Sequence, residues 1–259
     1  SFIDQFATVV SPRKDITHKN VINFHEILVW YLDKDYDELY ERKSFSKTKQ
    51  LCIINSNLTD TPLQRLRYEL THKLIGHFKD RIDVYGRGFK TFDDKFDLLK
   101  DYKYCLSIEN TSLGDYFTEK IFECYLTHTM PVYFGCPNIN DYFDKESYIE
   151  IDPYNYQKTI DIIEKLLIED PYGEKIDKII SQKVKYLENY SFFAAIVRLV
   201  GVLNIDLDRK KIKNTIYKED YFKRGYWARR LLTIYNNRKF IPKKYKITID
   251  FNNDDKYAN

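Results

Sequence analysis

From about residue 50 the chain alternates short apolar runs with longer stretches whose apolar residues recur every three or four positions, and nothing else in it constrains the fold as tightly. Leu51-Cys52-Ile53-Ile54 stops at the polar Asn55-Ser56-Asn57, after which Leu63, Leu66, Leu70, Leu74 and Phe78 mark one face of a helix. Ile82-Asp83-Val84-Tyr85 stops at Gly86-Arg87-Gly88, and residues 104–108 run into the turn Glu109-Asn110-Thr111-Ser112. Ile121, Cys124, Tyr125 and His128 give a second helical face. Pro131-Val132-Tyr133-Phe134 reads as a strand halted by Gly135, 148–151 as another, and helices are expected over 158–168, 175–188 and 194–203. Repeated units of this length imply an α/β fold with a mostly parallel sheet and helices on both faces. In such sheets the ligand lies beyond the carboxyl ends of the strands, so chemistry is expected in these polar loops.

Composition narrows the class further. With 259 residues the chain can bury a sizeable core, and only 8 Gly and 7 Pro exclude a collagen-like or mainly disordered chain. The 42 Lys+Arg nearly balance 39 Asp+Glu, too even for a nucleic-acid footprint over the whole surface, and no nucleic-acid partner is expected. Cys52, Cys105, Cys124 and Cys136 are widely spaced, with no C-x-x-C pair and no His at ligand spacing. That pattern argues against a disulfide framework and a zinc site, and no metal site is expected. No run of 18 apolar residues occurs, so a soluble or peripheral chain is expected. It opens on Ser1 rather than Met, directly into an apolar run, and reads as a piece of a longer protein.

Three segments are expected. Residues 1–49 offer a strand, a loop around Ser11-Pro12-Arg13, a helix near 23–32 and a charged stretch, and read as the end of an amino-terminal domain with its linker. Residues 50–203 hold the α/β units. Residues 204–259 form a basic module, expected to be helical, in which Arg209, Lys210, Lys211, Lys213, Lys223, Arg224, Arg229 and Arg230 are interleaved with Tyr217, Tyr221, Phe222, Tyr226 and Trp227. Such a segment suits wrapping a polysaccharide, a peripheral contact with an anionic membrane surface, binding nucleic acid, or simply a solvated helical hairpin packed on the preceding α/β units, and these readings stay open.

The densest chemical signal runs from Tyr104 to Lys120. A strand enters a polar turn, Thr118 or Asp115 is placed to cap a helix, and the first turn of that helix carries Glu119 and Lys120. Free backbone N–H groups at the helix start, together with Lys120, would hold a phosphate, while Glu119 suits sugar or ribose hydroxyls. Asp33-Lys34-Asp35 and Asp206-Leu207-Asp208 match D-x-D formally but lie in charged segments and read as solvated surface.

The stretch Glu109-Asn110-Thr111 through Tyr116-Phe117-Thr118-Glu119-Lys120 closely resembles the signature of family 10 glycosyltransferases, the α-1,3/4-fucosyltransferases, with Thr111 where the family has Ser. Ile54-Asn55-Ser56-Asn57, Arg65-Leu66-Arg67-Tyr68, Ile82 to Arg87, Met130 to Asn138 and Ser147-Tyr148-Ile149 resemble further blocks of that family in order. The resemblance implies a GT-B fold, two Rossmann-like domains facing a cleft, with this chain supplying mainly the carboxy-terminal donor-binding domain. It implies GDP-fucose as donor, a glycan hydroxyl as acceptor and inversion at the anomeric carbon. Carried onto this chain, it places Arg65 and Lys120 at the pyrophosphate, Asn110 and Tyr116 along the donor, and Glu119 at donor hydroxyls. It also places the acidic base upstream of residue 1, which leaves Glu26 and His25 as the nearest weak candidates within the chain. Two readings stay open beside it: a transferase for another nucleotide-linked sugar, and a donor-binding module inactive alone. The location expected is cytoplasmic or on the inner membrane face if bacterial or viral, and the Golgi lumen if part of a longer eukaryotic protein.

Overall fold

The computed structural model describes residues 2–25, 29–203, 214–217 and 246–249, the last two segments by their backbone. It divides into two compact units. The larger runs Phe24–Val202. In the smaller, β1 (Val9–Ser11) pairs in parallel with β2 (Val21–Asn23), and the two strands described within the basic segment, Asn214–Tyr217 and Lys246–Ile249, pair antiparallel. Where a helical tail was expected, the described residues of 204–259 are therefore extended, in line with the β-branched Thr215-Ile216 and Ile247-Thr248-Ile249.

The larger unit is built on five parallel strands: β3 (Lys49–Ile54), β4 (Ile82–Tyr85), β5 (Tyr102–Ile108), β6 (Met130–Phe134) and β7 (Ile149–Glu150), in the order β4-β3-β5-β6-β7. Strand alternation sorts their side chains onto two faces. Leu51 and Ile53 of β3 and Tyr104, Leu106 and Ile108 of β5 enter the main core. Cys52 and Cys105, directly opposite in register, enter a second core with Leu98, Leu99 and Cys124. Helices therefore cover both faces.

Helix α2 (Pro62–Phe78) starts at a reciprocal cap, in which Thr61 Oγ1 accepts from Gln64 N at 3.3 Å and Gln64 Oε1 accepts from Thr61 N at 3.1 Å. Its buried face holds Leu63, Arg67, Leu70, Thr71, Leu74 and Phe78. Short α3 (Lys95–Leu99), α4 (Glu119–Leu126), α5 (Tyr156–Glu169), α6 (Tyr172–Asn189) and α7 (Phe192–Leu203) follow.

The expected helix over 23–32 is absent among the described residues. Asn23 ends β2, and residues 29–32 are irregular because their groups are used in tertiary contacts: Tyr31 N donates to Glu123 Oε1 at 2.5 Å, Trp30 Nε1 to Lys34 O at 2.8 Å, and Leu32 is buried in the core. Asp35 of the first D-x-D pattern caps helix α1 (Tyr36–Glu41), accepting from Glu38 N at 2.8 Å. The second pattern, Asp206 to Asp208, lies outside the described residues.

Candidate active site

From β3 the chain crosses to β4 on one side and returns to β5 on the other, so the direction of winding reverses between β3 and β5. At the carboxyl ends of those two strands lies a cavity of about 210 Å³, lined among others by Asn55, Arg67, Lys95, Ser107, Glu119 and Lys120. A reversal of this kind leaves a crevice at the strand ends, where doubly wound sheets bind their ligands.

Glu109, the first residue after β5, organises one wall. It is fully buried, its Oε1 accepts from Thr118 N at 2.8 Å, and its Oε2 accepts from Thr118 Oγ1 at 2.6 Å. Thr118 thus sits at the cap position of α4, but its hydroxyl donates to Glu109 instead of accepting from the helix. Asp115, the other expected cap, is committed elsewhere.

Lys120 Nζ lies 2.8 Å from Thr118 Oγ1, 3.0 Å from Glu119 Oε1 and 3.3 Å from Glu109 Oε2. Burial pushes the Glu109 carboxyl up, and the charge of Lys120 and the two Thr118 bonds only partly offset it. Burial acts on Glu119 in the same sense, but there Lys120, Lys95 and Thr118 prevail and hold it below the usual carboxylate range. The site therefore presents an ionised Glu119 beside an ammonium, which can accept hydroxyl hydrogen bonds and neutralise an anion side by side.

Two glycines permit these approaches. A Cβ on Gly135 would lie 2.3 Å from Glu109 Cγ, and one on Gly86, whose φ is 114°, would lie 1.9 Å from Asn55 O. Asn55 is buried and donates through Nδ2 to Thr71 Oγ1 at 2.8 Å and to Arg67 O at 3.3 Å.

The loop between Glu109 and Thr118 is pinned from the β6 side. Asp115 has φ 62°, a left-handed value that Asp tolerates better than most residues. Its N–H donates to Asn138 Oδ1 at 2.8 Å, and its Oδ1 accepts from Asn138 Nδ2 at 2.7 Å and Tyr142 OH at 2.8 Å. The following residues alternate in exposure: Tyr116 is half-buried, whereas Phe117 is buried beside Tyr142, Phe143 and Tyr190.

Of the residues expected from sequence, Glu119 and Lys120 line the cavity, and Asn110 stands at its edge, where its Oδ1 accepts from Arg67 Nη1 at 2.9 Å. Tyr116 follows Asp115 in the same loop. Arg65 is not brought to the cavity lining. It is exposed, and its Nη1 donates to Thr59 O at 2.8 Å and Asp60 O at 3.4 Å.

His25 is buried in an aromatic cluster, 4.4 Å between ring centroids from Phe24 and 5.1 Å from Tyr190, and Glu26 lies outside the described residues. Glu109, Arg67, Asp115 and Asn138 were not singled out as site residues. Helical spacing could have found Arg67, which falls four residues after Leu63 and three before Leu70, on the buried face of α2. Among the described residues, no group of three or more His, Cys, Asp or Glu is placed to hold a metal ion.

The parallel sheet and the crevice at its reversal define a Rossmann-like ligand-binding domain of the GT-B type. Residues 44–172 match the carboxy-terminal domain of glycosyltransferase family 10 (fucosyltransferase), and the chain belongs to that family. It is 36% identical over 74 residues to the alpha-(1,3)-fucosyltransferase FucT of Helicobacter pylori, a match spanning 28% of this chain and 16% of that protein. It is 29% identical over 135 residues to human 4-galactosyl-N-acetylglucosaminide 3-alpha-L-fucosyltransferase 9, covering 48% of this chain and 36% of that protein. The chain thus matches only a minor part of the length of these relatives. Among solved structures, a TarM mutant of S. aureus superposes with a TM-score of 0.54 at 14% identity, over 78% of this chain and 45% of that one. That likeness concerns the fold.

Proposed function

We propose that this chain is the donor-binding part of an inverting fucosyltransferase that moves fucose from GDP-fucose to a hydroxyl of a glycan. The observation that carries the reading is the Glu109–Thr118–Lys120 arrangement at the sheet's reversal point, in a domain of family 10. A departing GDP develops negative charge on its diphosphate, and cations held in place before the reaction stabilise that charge without reorganising. Lys120 is so held, and Glu119 beside it is poised to accept hydroxyl hydrogen bonds from the donor. Asn110 and Tyr116, in the same loop, are assigned to the donor's flank. The base that takes the acceptor proton is assigned, as the family resemblance implies, to a carboxylate upstream of residue 1. His25, enclosed by aromatic rings, is poorly placed for that task.

Calorimetric titration with GDP, GDP-fucose, GDP-mannose and a UDP-sugar tests the reading. Preference for GDP-fucose, lost in Lys120→Ala, supports it. Binding of a different nucleotide sugar would replace the donor, and no binding of any of them would overturn it.

Contact of the basic segment 204–259 with an anionic membrane, and with it a location at the inner membrane face, belongs to the same proposal. Its support is the concentration of Lys and Arg from Arg209 to Lys246. Sedimentation with phosphatidylserine vesicles, compared with neutral ones, tests it: equal recovery from both would sink the idea.

A further inference from the structure

Lys47 lies two residues before β3, and its ammonium is satisfied by neutral oxygens. Nζ donates to Leu99 O at 3.2 Å, Thr127 O at 2.7 Å and Thr129 Oγ1 at 3.0 Å, which uses all three of its N–H groups. Thr127 and Thr129 are fully buried. Burial pulls the pKa of Lys47 from 10.5 down to about 7, against the through-space pull of nearby thiols and Asp101, and no carboxylate among the described residues lies within ion-pair distance of it. A desolvated ammonium without a carboxylate is costly, so its place calls for a reason other than charge pairing.

The oxygens it gathers supply one. Leu99 is the last residue of α3, and Thr127 is the cap at the end of α4. Carbonyls at a helix's carboxyl end have no partner within the helix and carry its negative dipole end, so one ammonium between two such ends satisfies both. The same two helices begin at the cavity, α3 with Lys95 and α4 with Glu119 and Lys120, and there Lys95 Nζ pairs with Glu123 of α4 at 2.5 Å. The two helices are thus joined twice, by Lys95–Glu123 beside the cavity and by Lys47 at their carboxyl ends. Phe45 packs between them, edge-on to Phe96 of α3 at 5.6 Å and to His128, just past α4, at 4.8 Å. With five and eight residues, α3 and α4 are too short to hold their places through their own hydrogen bonds, and contacts of this kind set their position.

We propose that Lys47 is a positioning residue of the donor site: its ammonium clamps the carboxyl ends of α3 and α4 together, and so fixes Lys95 relative to Glu119 and Lys120 where the helices meet the ligand. This rests on the donor reading above. Lys47 touches no ligand itself and acts through the two helices.

The experiment is titration of the full chain and its variants with GDP at about pH 6, where Lys47 is charged, together with amide hydrogen exchange of each. Lys47→Met is expected to bind GDP about 10-fold more weakly, the size of coupling carried through packed elements. Its amides should exchange faster over α3 and α4 but not over α5. Lys47→Cys separates charge from bulk: its thiol is alkylated with bromoethylamine, which restores an ammonium at the length of lysine, or with bromopropane, which restores bulk alone. The four native cysteines are buried, and the parent is treated in parallel. The aminoethyl form is expected within about 2-fold of the parent and the propyl form about 10-fold weaker. If the Lys47 variants do not fold, Thr129→Val decides, because it removes one acceptor, keeps the ammonium, and is expected to weaken GDP binding about 3-fold. Parental GDP affinity in Lys47→Met, or in Thr129→Val where that decides, or equal affinity of the aminoethyl and propyl forms, would overturn the assignment while leaving the donor reading intact. A parent that ignores GDP removes the donor reading. In that case, faster exchange confined to α3 and α4 and reversed by aminoethylation keeps the clamp, and unchanged exchange removes it as well.

Discussion

Glu109 holds Thr118 through both of its carboxylate oxygens, one on the backbone N–H at 2.8 Å and one on the hydroxyl at 2.6 Å. A single buried side chain therefore fixes where α4 begins and, through the same threonine oxygen, where the Lys120 ammonium sits. Glu109→Gln keeps the size but replaces one acceptor oxygen by a donor facing the Thr118 hydroxyl or N–H. The loss expected is about 1–3 kcal/mol of unfolding free energy, the scale of an unsatisfied buried hydrogen-bonding group. GDP affinity should fall with it, because Lys120 loses a carboxylate at 3.3 Å that orients it. Urea unfolding and GDP titration read the two effects separately, and a variant unchanged in both would show that Glu109 organises nothing.

Gly135 and Gly76 make a controlled pair. A Cβ at Gly135 meets Glu109 Cγ at 2.3 Å and Tyr133 Oη at 2.7 Å, whereas one at Gly76 meets nothing within 4 Å. Gly135→Ala is expected to cost about 1–3 kcal/mol by overpacking. Gly76→Ala, inside α2, should stabilise by about 0.5–1 kcal/mol through helix propensity. Opposite displacements of the urea midpoint are the expected result. Two shifts of the same sign would contradict the packing described around Glu109.

The Asp115–Asn138 pair closes the loop that carries Tyr116. Asn138 reads both the N–H and the carboxylate of Asp115, and Tyr142 adds a second donor to that carboxylate. Asn138→Ala removes an acceptor and a donor at once beside a residue held at positive φ. The expected stability loss is about 1–3 kcal/mol, and proteolytic cleavage within 111–117 should become faster, since local opening of a loop tracks the bonds that close it. Cleavage at the parent's rate would mean that the loop is held by other contacts.

Much of this arrangement was legible in the sequence, and the omissions have physical causes. The apolar runs at 51–54 and 131–134 lie within β3 and β6, interior strands of the sheet, because strands buried on both faces read as continuous apolar segments. The run at 82–85, interrupted by Asp83, is the edge strand β4. Helix α3, only five residues long, is too short to show a period and is marked by little more than Asp94, whose carboxylate accepts from Asp97 N at 2.8 Å. Residues 29–32 fall in the segment where the sequence suggests a helix, from about 23 to 32. Their conformation is set by α4 and α6, through the Tyr31 N–H on Glu123 and the Trp30 ring edge-on to Tyr186, and no local pattern encodes partners so far along the chain. The family resemblance points to Arg65, whereas the leucine spacing of α2 puts Arg67 on the buried face and Arg65 off it.

His128 provides a test by pH. Burial, with Lys183 and Lys47 adding like charge, pushes its pKa from 6.5 down to about 3, so it is neutral in the fold at neutral pH. Around it, Lys183 Nζ lies 3.3 Å from Nε2, Phe45 packs edge-on at 4.8 Å, and the Tyr172 hydroxyl donates to its carbonyl at 2.7 Å. Unfolding releases a histidine that titrates near its ordinary value, so below about pH 6.5 the unfolded chain binds a proton that the folded chain refuses. The stability due to a neutral His128 is therefore complete above pH 6.5 and declines as pH falls toward 3. A loss on the order of 2–3 kcal/mol is expected between pH 7 and pH 4, beyond that from carboxylates. His128→Asn, chosen because Asn tolerates the positive φ of 55° at this position, should flatten the urea-midpoint profile over that range. Parallel profiles for parent and variant would mean that His128 takes up its proton in the fold beside Lys183, which the geometry around Nε2 opposes.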